Sequence, residues 1–385
     1  MNILVAGYSY IRDAHRNTFN FYPKTDNIFF LLPKQWRARG GSVVFNASSG
    51  NNIFTTNTFF YHSRYPLVRG LLKGWMPAFP LILWKLKRTQ QVSLVYSCSE
   101  PTLLSTLYNG IWAKLLGVKH VPFTWENIPY RFGGPKGLFR KLILWLNFLF
   151  ADGVICGNEK GRQIYHPLTK KPLVVVPLFG LDFIFFTPGK SSRIFNNYDL
   201  TDKLVFTFAG AVAYRKGVHH IINALRAVVA EFPKACLIIA GNDEYGGELE
   251  KIIQRAGMQN NVIRFSWLSH QQLKGLLAIS DVFLYPSLSY RGWEEQFGYA
   301  MAEASLMEVP VISTATGSIE DVVINEKTGL IIKSDSEEET IGAMSKLAGD
   351  ADLRIKLGKA GRQYIIEHFS QKAVAKKFFD FFHSI

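Results

Sequence analysis

Short apolar runs alternate along the chain with longer segments of helical character. The runs lie at 3–7, 43–46, 94–97, 119–124, 153–156 and 173–177, and again at 204–210, 237–241, 262–268, 280–285 and 328–332. Apolar runs separated by helical segments are typical of a doubly wound parallel sheet. A chain of 385 residues is long enough for two domains. The pattern therefore predicts an α/β protein with two such domains.

The stretch 280–303 places two glutamates around a predicted helix start. Pro286 ends an apolar run, and a loop rich in serine, glycine and aromatic residues leads to a helix that begins near Gly298. Glu295 lies just before this helix start, and Glu303 lies about two turns into the helix.

A helix start of this kind suits a sugar nucleotide. Free backbone N–H groups at a helix N-terminus bind diphosphate, and here they belong to Phe297, Gly298 and Tyr299. Glycine lets the phosphate approach the backbone closely. In that arrangement Glu303 would accept the hydroxyls of a ribose, and Glu295 those of the sugar. The alternative is that an acid before a helix only caps it or offsets its dipole.

A cationic pair follows another predicted strand. The run 204–210 leads to Arg215, Lys216 and Gly217, and a helix is predicted from Val218. Two cations just before a helix can stabilise a leaving diphosphate. The alternative is two solvated basic side chains.

The composition indicates a folded protein of a reducing compartment. Hydrophobic residues make up 48% of the chain and charged residues 19%, which excludes a disordered chain. Cys98, Cys156 and Cys236 form an odd, sparse set without metal-ligand spacing, which fits the cytoplasm better than a disulfide framework. We expect neither a metal nor a cofactor. The first residues predict a strand and not a signal peptide, so we expect a cytoplasmic location.

The net charge of +14 is unevenly distributed. Residues 1–180 hold 22 Lys and Arg against 6 Asp and Glu, or +16, whereas residues 181–385 hold 22 against 24, or −2. The first half is therefore expected to face an anionic membrane, an acidic acceptor or nucleic acid. Because no nucleic-acid motif accompanies the charge, we do not expect nucleic acid as the partner.

Two basic and apolar segments are candidates for contact with a membrane surface. Residues 64–88 carry six basic residues and no acid, and residues 131–150 carry four and no acid. Neither has 18 uninterrupted apolar residues, so neither is expected to span a bilayer. Basic residues among Trp, Phe and Leu are typical of an interfacial segment. Each segment could equally be a core helix with a solvated basic face.

Ligands of doubly wound sheets bind at the carboxyl ends of the strands. In the first half, the loops at these ends begin at Gly7, at 97–100 and at 125–127. Gly7, Glu126 and Asn127 are therefore candidate acceptor-side residues. Glu126 could contact an acceptor hydroxyl or could simply cap its own loop.

The second half resembles the donor-site signature of family 4 retaining glycosyltransferases. That signature is P-S-x-x-E-x-F-G-x-x-x-x-E, then P-V-I, then G-G-x-x-E-x-V, and its counterparts here lie at 286–303, 310–312 and 316–323. The loop before Glu295 is longer than in the family, so Glu294 competes for its role.

Two further family motifs are matched in part. In G-R-x-x-x-x-K-G, Lys216 and its glycine match, but Ala211 stands at the arginine position, where Arg215 is the candidate substitute. The run 262–268 resembles the strand that is followed by backbone contacts to the base. The resemblance implies Glu295, Lys216 and Arg215 as catalytic residues. It implies as donor-binding residues Glu303, Phe297, Gly298, Tyr299, Gly210, Trp267 and Leu268.

The resemblance implies a GT-B fold, with two Rossmann-like doubly wound domains and an interdomain cleft. Residues 1–180 would form an acceptor-binding domain, and residues 181–365 a domain that binds the nucleotide sugar. Residues 366–385 would form a C-terminal helix that packs back on the first domain.

The family's activity is the transfer of a sugar from a nucleoside-diphosphate donor to an acceptor hydroxyl, with retention of configuration and without a metal. The expected acceptor is a glycan or a lipid-linked intermediate. The Asp-x-Asp sequence at 350–352 precedes a predicted helix and is expected to be a cap. Two other functions remain open: a sugar-nucleotide epimerase on the same fold, and a non-catalytic module that docks on membranes.

Overall fold

The computed structural model describes residues 1–37, 44–48, 50–61, 68–189, 198, 200 and 202–385. The chain divides into two compact units, one formed by Met1–Gly180 with Gln371–Ile385 and the other by Leu181–Ser370. Residues 64–67 of the first basic segment lie outside the described residues.

Strands and helices alternate through both units. The strands are β1 Asn2–Ala6, β2 Asn27–Pro33, β3 Gln35–Arg37, β4 Val44–Asn46, β5 Ile53–Thr56, β6 Val92–Ser97, β7 Lys119–Thr124, β8 Val154–Cys156, β9 Leu173–Val175, β10 Leu204–Ala209, β11 Ala235–Ala240, β12 Val262–Phe265, β13 Val282–Tyr285, β14 Val311–Thr314 and β15 Gly329–Ile332. The helices are α1 Asp13–Arg16, α2 Val68–Leu71, α3 Phe79–Gln90, α4 Leu104–Leu115, α5 Gly134–Phe150, α6 Glu159–Tyr165, α7 Val218–Glu231, α8 Glu248–Ala256, α9 His270–Leu277, α10 Tyr299–Leu306, α11 Glu337–Gly349, α12 Ala351–Phe369 and α13 Gln371–Ser384.

The first unit is built on a parallel sheet with the strand order β5-β2-β1-β6-β7-β8-β9. Helices α3 and α4 cover one face of the sheet, where Leu83 and Ala113 pack with Leu4 and Val95. The strand order reverses between β1 and β6. Ligands of such sheets bind at this reversal, so the loop that begins at Gly7 has the expected position.

The C-terminal helix α13 covers the other face of the same sheet. Phe378 and Phe382 are fully buried and share a core with Ile3 and Tyr96. Their rings lie 5.4 and 5.7 Å from that of Tyr96. The last helix is therefore part of the first unit, although the whole second unit precedes it in the chain.

The second unit has a parallel sheet with the order β12-β11-β10-β13-β14-β15. Numbered within the unit this order is 3-2-1-4-5-6, the order of the Rossmann fold. The order reverses between β10 and β13, whose carboxyl ends lead into Gly210 and Pro286. The two sheets confirm the prediction of two Rossmann-like domains.

The prediction of a strand at 43–46 in the main sheet is wrong. Val44–Asn46 pairs antiparallel with Gln35–Arg37 in a separate ribbon. The parallel sheet uses Asn27–Pro33 and Ile53–Thr56, which the sequence pattern did not indicate. A short Phe- and Leu-rich run such as Asn27–Pro33 fits a buried helix as well as a buried strand, because neither shows a polar face.

The predicted C-terminal helix begins later than residue 366. Residues up to Phe369 continue α12, and Ser370 is extended at φ −61° and ψ 158°. The Leu181 N–H donates to the Phe369 carbonyl at 2.8 Å. No glycine or proline marks this junction, and the local signal is weak: a single serine, Ser370, of the kind that favours a helix N-cap. The Asp350 cap is confirmed, since its carboxylate accepts the Leu353 N–H at 2.8 Å.

Helices α3, α4 and α5 present apolar side chains to solvent, and α4 contacts both of the others. Four exposed apolar residues of α5, at positions 138, 142, 145 and 149, are spaced by three or four and so form one stripe, while Leu144 and Phe148 on the other side are buried. The exposed apolar residues are Leu81 and Trp84 on α3, Trp112 and Leu115 on α4, and Leu138, Phe139, Leu142, Trp145 and Leu149 on α5. No helix in the described ranges has both the length and the apolar character needed to cross a membrane.

Truncation of Phe382 is predicted to destabilise the first unit. Phe382→Ala leaves a cavity under β6, and we expect the free energy of unfolding to fall by about 3–5 kcal/mol. Lys376→Ala on the exposed side of the same helix is the control and should change it by less than about 1 kcal/mol. The measurement is urea denaturation followed by circular dichroism. Equal stability of the two variants would show that α13 is not part of this core.

Candidate active site

A cavity of about 160 Å³ opens at the strand-order reversal of the second unit. Four residues predicted as donor-binding, Gly210, Trp267, Leu268 and Glu303, line it together. The remaining lining residues are Ala209, Ala240, Gly241, His270, Leu273 and Ala300. His270 and Leu273 were not predicted. Both lie in the first turn of α9, which begins two residues after the run 262–268 that the sequence analysis had associated with the base.

The floor of the cavity depends on two glycines. Gly210 and Gly241 have φ angles of 150° and 149°, which L side chains rarely adopt. A Cβ atom at Gly241 would lie 1.7 Å from the Gly210 carbonyl oxygen. A side chain at 241 would therefore separate the ends of β10 and β11, the strands that carry this floor.

Glu303 places a carboxyl group in the cavity wall. Within the described part of the chain, no donor lies within hydrogen-bonding distance of this carboxyl. Loss of hydration raises the pKa of Glu303 to about 8. A carboxyl group held in this way is available to a hydroxyl-bearing ligand, and such perturbed acids occur preferentially at functional sites.

The start of α10 lies beside the cavity. Gly298 is the N-cap residue at φ 80°, and no side chain caps the helix. A Cβ atom at Gly298 would lie 2.2 Å from the terminal carbon of Met301. The Phe297 ring is buried, 5.1 Å from that of Phe369. Phe297 can therefore offer a ligand its backbone and not its ring.

Lys216 and Glu295 form a buried ion pair. The Lys216 ammonium also donates to the Tyr285 hydroxyl at 2.5 Å, and Ser287 Oγ donates to Glu295 Oε2 at 3.4 Å. Loss of hydration lowers the pKa of Lys216, and the Glu295 carboxylate opposes that change. The structure thus brings together two residues that the sequence had assigned to separate loops.

Tyr285 joins the ion pair to the cavity and was not predicted as a site residue. Its ring edge lies 3.7 Å from the position of a Cβ atom at Gly210 and 3.6 Å from one at Gly298, while its hydroxyl meets Lys216. Tyr285 is the last residue of β13. Its position at the end of a strand beside the strand-order reversal is the sequence signal that could have identified Tyr285 as a site residue.

The backbone of Glu295 is held by the loop after β14. The Ser318 N–H donates to the Glu295 carbonyl at 2.9 Å. Gly317 has φ 61°, and a Cβ atom there would lie 2.0 Å from the same carbonyl oxygen. The competing acid Glu294 instead accepts a hydrogen bond from Ser289 Oγ at 2.9 Å. Of the two candidates, the structure therefore places Glu295 at Lys216.

Arg215 lies outside this ion pair. Its guanidinium donates to Glu244 at 2.8 Å and lies 5.2 Å from the centre of the Trp293 ring. The arrangement leaves Arg215 beside Lys216 but held by a different carboxylate.

The acceptor-side candidates of the first unit lie in the loops that follow β1 and β7, and the Glu126 carboxylate is hydrogen-bonded within its own loop. Its carboxylate accepts the N–H groups of Asn127 at 3.3 Å and Ile128 at 3.2 Å, which is the capping role that the sequence had left open. Gly7 packs tightly, since a Cβ atom there would lie 3.2 Å from that of Cys98. Glu100, which follows the neighbouring strand β6, accepts the Trp125 N–H at 2.8 Å.

Comparison with known proteins finds a family whose model matches most of the second unit. Residues 191–364 match the model of glycosyl transferases group 1. Two solved structures share the fold of the whole chain. A glycosyltransferase from Rickettsia africae has a TM-score of 0.74 and 16% identity, over 100% of this chain and 98% of that one. Anabaena HepE in complex with UDP has a TM-score of 0.72 and 15% identity, over 100% of both chains. Residues 191–364 therefore resemble the group 1 glycosyl transferases, and the chain has the GT-B fold. The family resemblance of the sequence motifs is confirmed.

Characterised relatives align with part of the chain. A GDP-mannose-dependent alpha-(1-6)-phosphatidylinositol monomannoside mannosyltransferase of Mycobacterium tuberculosis is 27% identical over 206 residues, or 52% of this chain and 54% of the relative. The capsular polysaccharide biosynthesis glycosyltransferase CapM of Staphylococcus aureus is 28% identical over 177 residues, or 46% and 44%. The chain thus spans about half the length of the curated relatives it matches.

Glu303 is predicted to make the second unit less stable as the pH rises. Its folded-state pKa of about 8 exceeds the ordinary value of 4.5, so its ionisation opposes folding between those values. Glu303→Gln should therefore gain stability relative to the unmodified protein as the pH rises through that window. Urea denaturation across the window measures this difference, with the exposed Glu338→Gln as the control. Parallel pH curves for Glu303→Gln and the unmodified protein would contradict the assignment.

Proposed function

We propose that this protein is a retaining glycosyltransferase that moves a sugar from a nucleoside diphosphate to an acceptor hydroxyl. The observation that carries the proposal is the cavity of the second unit, where Glu303 and the uncapped start of α10 lie next to the Lys216–Glu295 pair. The family match of residues 191–364 supports it.

Each part of the donor has a matching group in this arrangement. Glu303 accepts the ribose hydroxyls, and the backbone N–H groups at 297–299 bind the diphosphate. Gly210, Trp267 and Leu268 surround the base. The donor diphosphate competes with Glu295 for the Lys216 ammonium, and Glu295 then orients a sugar hydroxyl.

The reaction follows from the charge that develops on the donor. The bond between the anomeric carbon and the diphosphate oxygen breaks, and negative charge grows on the diphosphate. Lys216, assisted by Arg215, stabilises that charge more strongly in the transition state than in the ground state. The acceptor oxygen bonds to the anomeric carbon on the same face, and its proton passes to the departing phosphate oxygen. No step in this scheme requires a metal.

The first unit is the proposed acceptor domain, and its acceptor is a glycan or a lipid-linked intermediate. The names of the two curated relatives, one acting on a phosphatidylinositol mannoside and one in capsule synthesis, support this class. Gly7, Glu126 and Asn127 lie in loops at the carboxyl ends of the strands, where acceptor contacts are expected.

We also propose that the first unit binds the cytoplasmic surface of an anionic membrane. The exposed apolar stripe of α5 and the neighbouring apolar residues of α3 and α4 support the proposal. Exposed basic residues on the same helices match anionic headgroups: Lys85, Lys87, Arg88, Lys114, Lys136, Arg140 and Lys141. Two Trp residues of this surface, Trp84 and Trp145, suit the interface between headgroups and acyl chains.

Turnover of sugar nucleotides tests the proposed function. UDP-, GDP- and ADP-sugars are incubated with membrane lipid extract, and transfer is followed by mass spectrometry. Glu295→Gln should lower turnover by about 100-fold or more without weakening the binding of free nucleoside diphosphate. Glu294→Gln is the matched control and should keep most of the activity.

The product distinguishes the remaining functions. Its anomeric configuration, measured by NMR, should match that of the donor, and an inverted product would overturn the mechanism. Conversion of the donor into an epimer without an acceptor would support the epimerase. Binding without any turnover of the whole panel would support the non-catalytic module.

Sedimentation with liposomes tests the membrane surface. The protein should bind vesicles that contain anionic lipid at low salt, and high salt should weaken the binding by screening. Trp145→Glu places a charge in the apolar stripe and should abolish it. Ile355→Glu, at an equally exposed apolar residue of the second unit, is the control. Failure of the unmodified protein to bind anionic vesicles at low salt would remove this proposal.

A further inference from the structure

The loop between β13 and α10, which is longer than the family pattern, contains a two-residue hairpin. The Tyr290 N–H donates to the Trp293 carbonyl at 3.0 Å, and the Trp293 N–H donates back at 2.9 Å. Arg291 and Gly292 between them have φ angles of 48° and 75°. Left-handed conformations at both central residues are those of a type I′ turn, which holds the two flanking residues in fixed register.

The hairpin is anchored to the turn that carries the two cations. The N–H of the buried Leu288 donates to the Arg215 carbonyl at 2.8 Å. The Tyr290 ring lies 5.0 Å from that of Tyr214. One backbone bond and one ring contact thus fix the hairpin relative to Lys216.

This anchoring places the Trp293 indole beside both cations. Its ring centre lies 4.7 Å from Lys216 Nζ and 5.2 Å from Arg215 Cζ. Tryptophan offers the strongest cation–π face among the aromatic side chains. The indole therefore lies where it can offset both the repulsion between two neighbouring cations and the loss of hydration at Lys216.

The other groups around Lys216 behave differently when a diphosphate binds. Tyr285 and Glu295 contact the ammonium directly, Arg215 repels it, and Glu244 attracts it from a greater distance. In the proposed reaction the diphosphate replaces the Glu295 contact. The indole takes up none of the ammonium N–H donors, so it can remain in place while those donors turn to phosphate.

We propose that Trp293 is a positioning residue that holds the charged Lys216 side chain against the leaving diphosphate. This inference rests on the proposed function. It assigns a role to the additional residues of the loop, which the family pattern lacks.

Binding of UDP, GDP and ADP, measured by titration calorimetry over a range of pH, tests the inference. With the diphosphate that the unmodified protein binds tightest, Trp293→Leu should weaken binding roughly tenfold at neutral pH. Lysine loses its charge as the pH rises, and loss of the ring lowers the pKa of Lys216. The alkaline loss of affinity should therefore begin at a lower pH in Trp293→Leu.

Two further variants separate positioning from general damage to the loop. Trp293→Phe keeps an aromatic face and should restore most of the affinity and the pH profile. Arg291→Asn changes the exposed turn without removing the ring, and asparagine tolerates the left-handed conformation. It should bind like the unmodified protein.

The outcomes distinguish this inference from the proposed function. Unchanged affinity and pH profile in Trp293→Leu would overturn the inference alone, as would an equal loss in Trp293→Leu and Trp293→Phe. Failure of the unmodified protein to bind any of the three diphosphates would overturn both.

Discussion

The second unit's site depends on the burial of one ion pair, Lys216–Glu295. Two charges withdrawn from water are tolerated only when each neutralises the other and the remaining polar atoms find partners. The two residues lie 79 positions apart, so the turn after β10 and the loop after β13 must be held in one arrangement. Three residues stabilise this arrangement. Gly317 has no side chain and so leaves room for the Glu295 backbone, Ser287 donates a hydrogen bond to the Glu295 carboxylate, and the Tyr285 hydroxyl accepts one from Lys216.

The same pair connects the structure to the proposed chemistry. A lysine that is already desolvated and neutralised gains little from exchanging one carboxylate for a diphosphate in the ground state. It gains more as charge accumulates on the leaving group, which is the condition for lowering a barrier and not merely for binding. Tyr285 contacts Lys216 with its hydroxyl and lines the approach to the Glu303 cavity with its ring. In the proposed donor complex, this side chain would couple the positions of the diphosphate and the ribose.

The two units differ in how closely their sequences follow the family motifs. The second unit follows family motifs, and its glycines at 210, 241, 298 and 317 lie where a Cβ atom would collide with backbone or where φ is positive. The first unit follows only the general topology, and its distinctive feature is a surface with exposed apolar and basic residues on α3, α4 and α5. The second unit therefore offers a ligand a cavity, whereas the first unit offers a basic and apolar surface.

The sequence by itself determined the fold class, and it indicated four residues that the structure brings together in one cavity. Periodic apolar runs predicted the doubly wound sheets, and Gly210, Trp267, Leu268 and Glu303, drawn from separate motifs, meet in one cavity. The tertiary structure decided the rest. It placed Glu295 and not Glu294 at Lys216, and it placed Tyr285 and Trp293 around the same lysine. It also ended α12 before Ser370. The main sheet was formed by Asn27–Pro33 and Ile53–Thr56 and not by the predicted strand at 43–46. The physical reason is the distance along the chain over which each interaction acts. Propensity and periodicity depend on a few neighbouring residues. These contacts instead join distant segments, whose approach is set by sheet order and by how closely two backbones can pack.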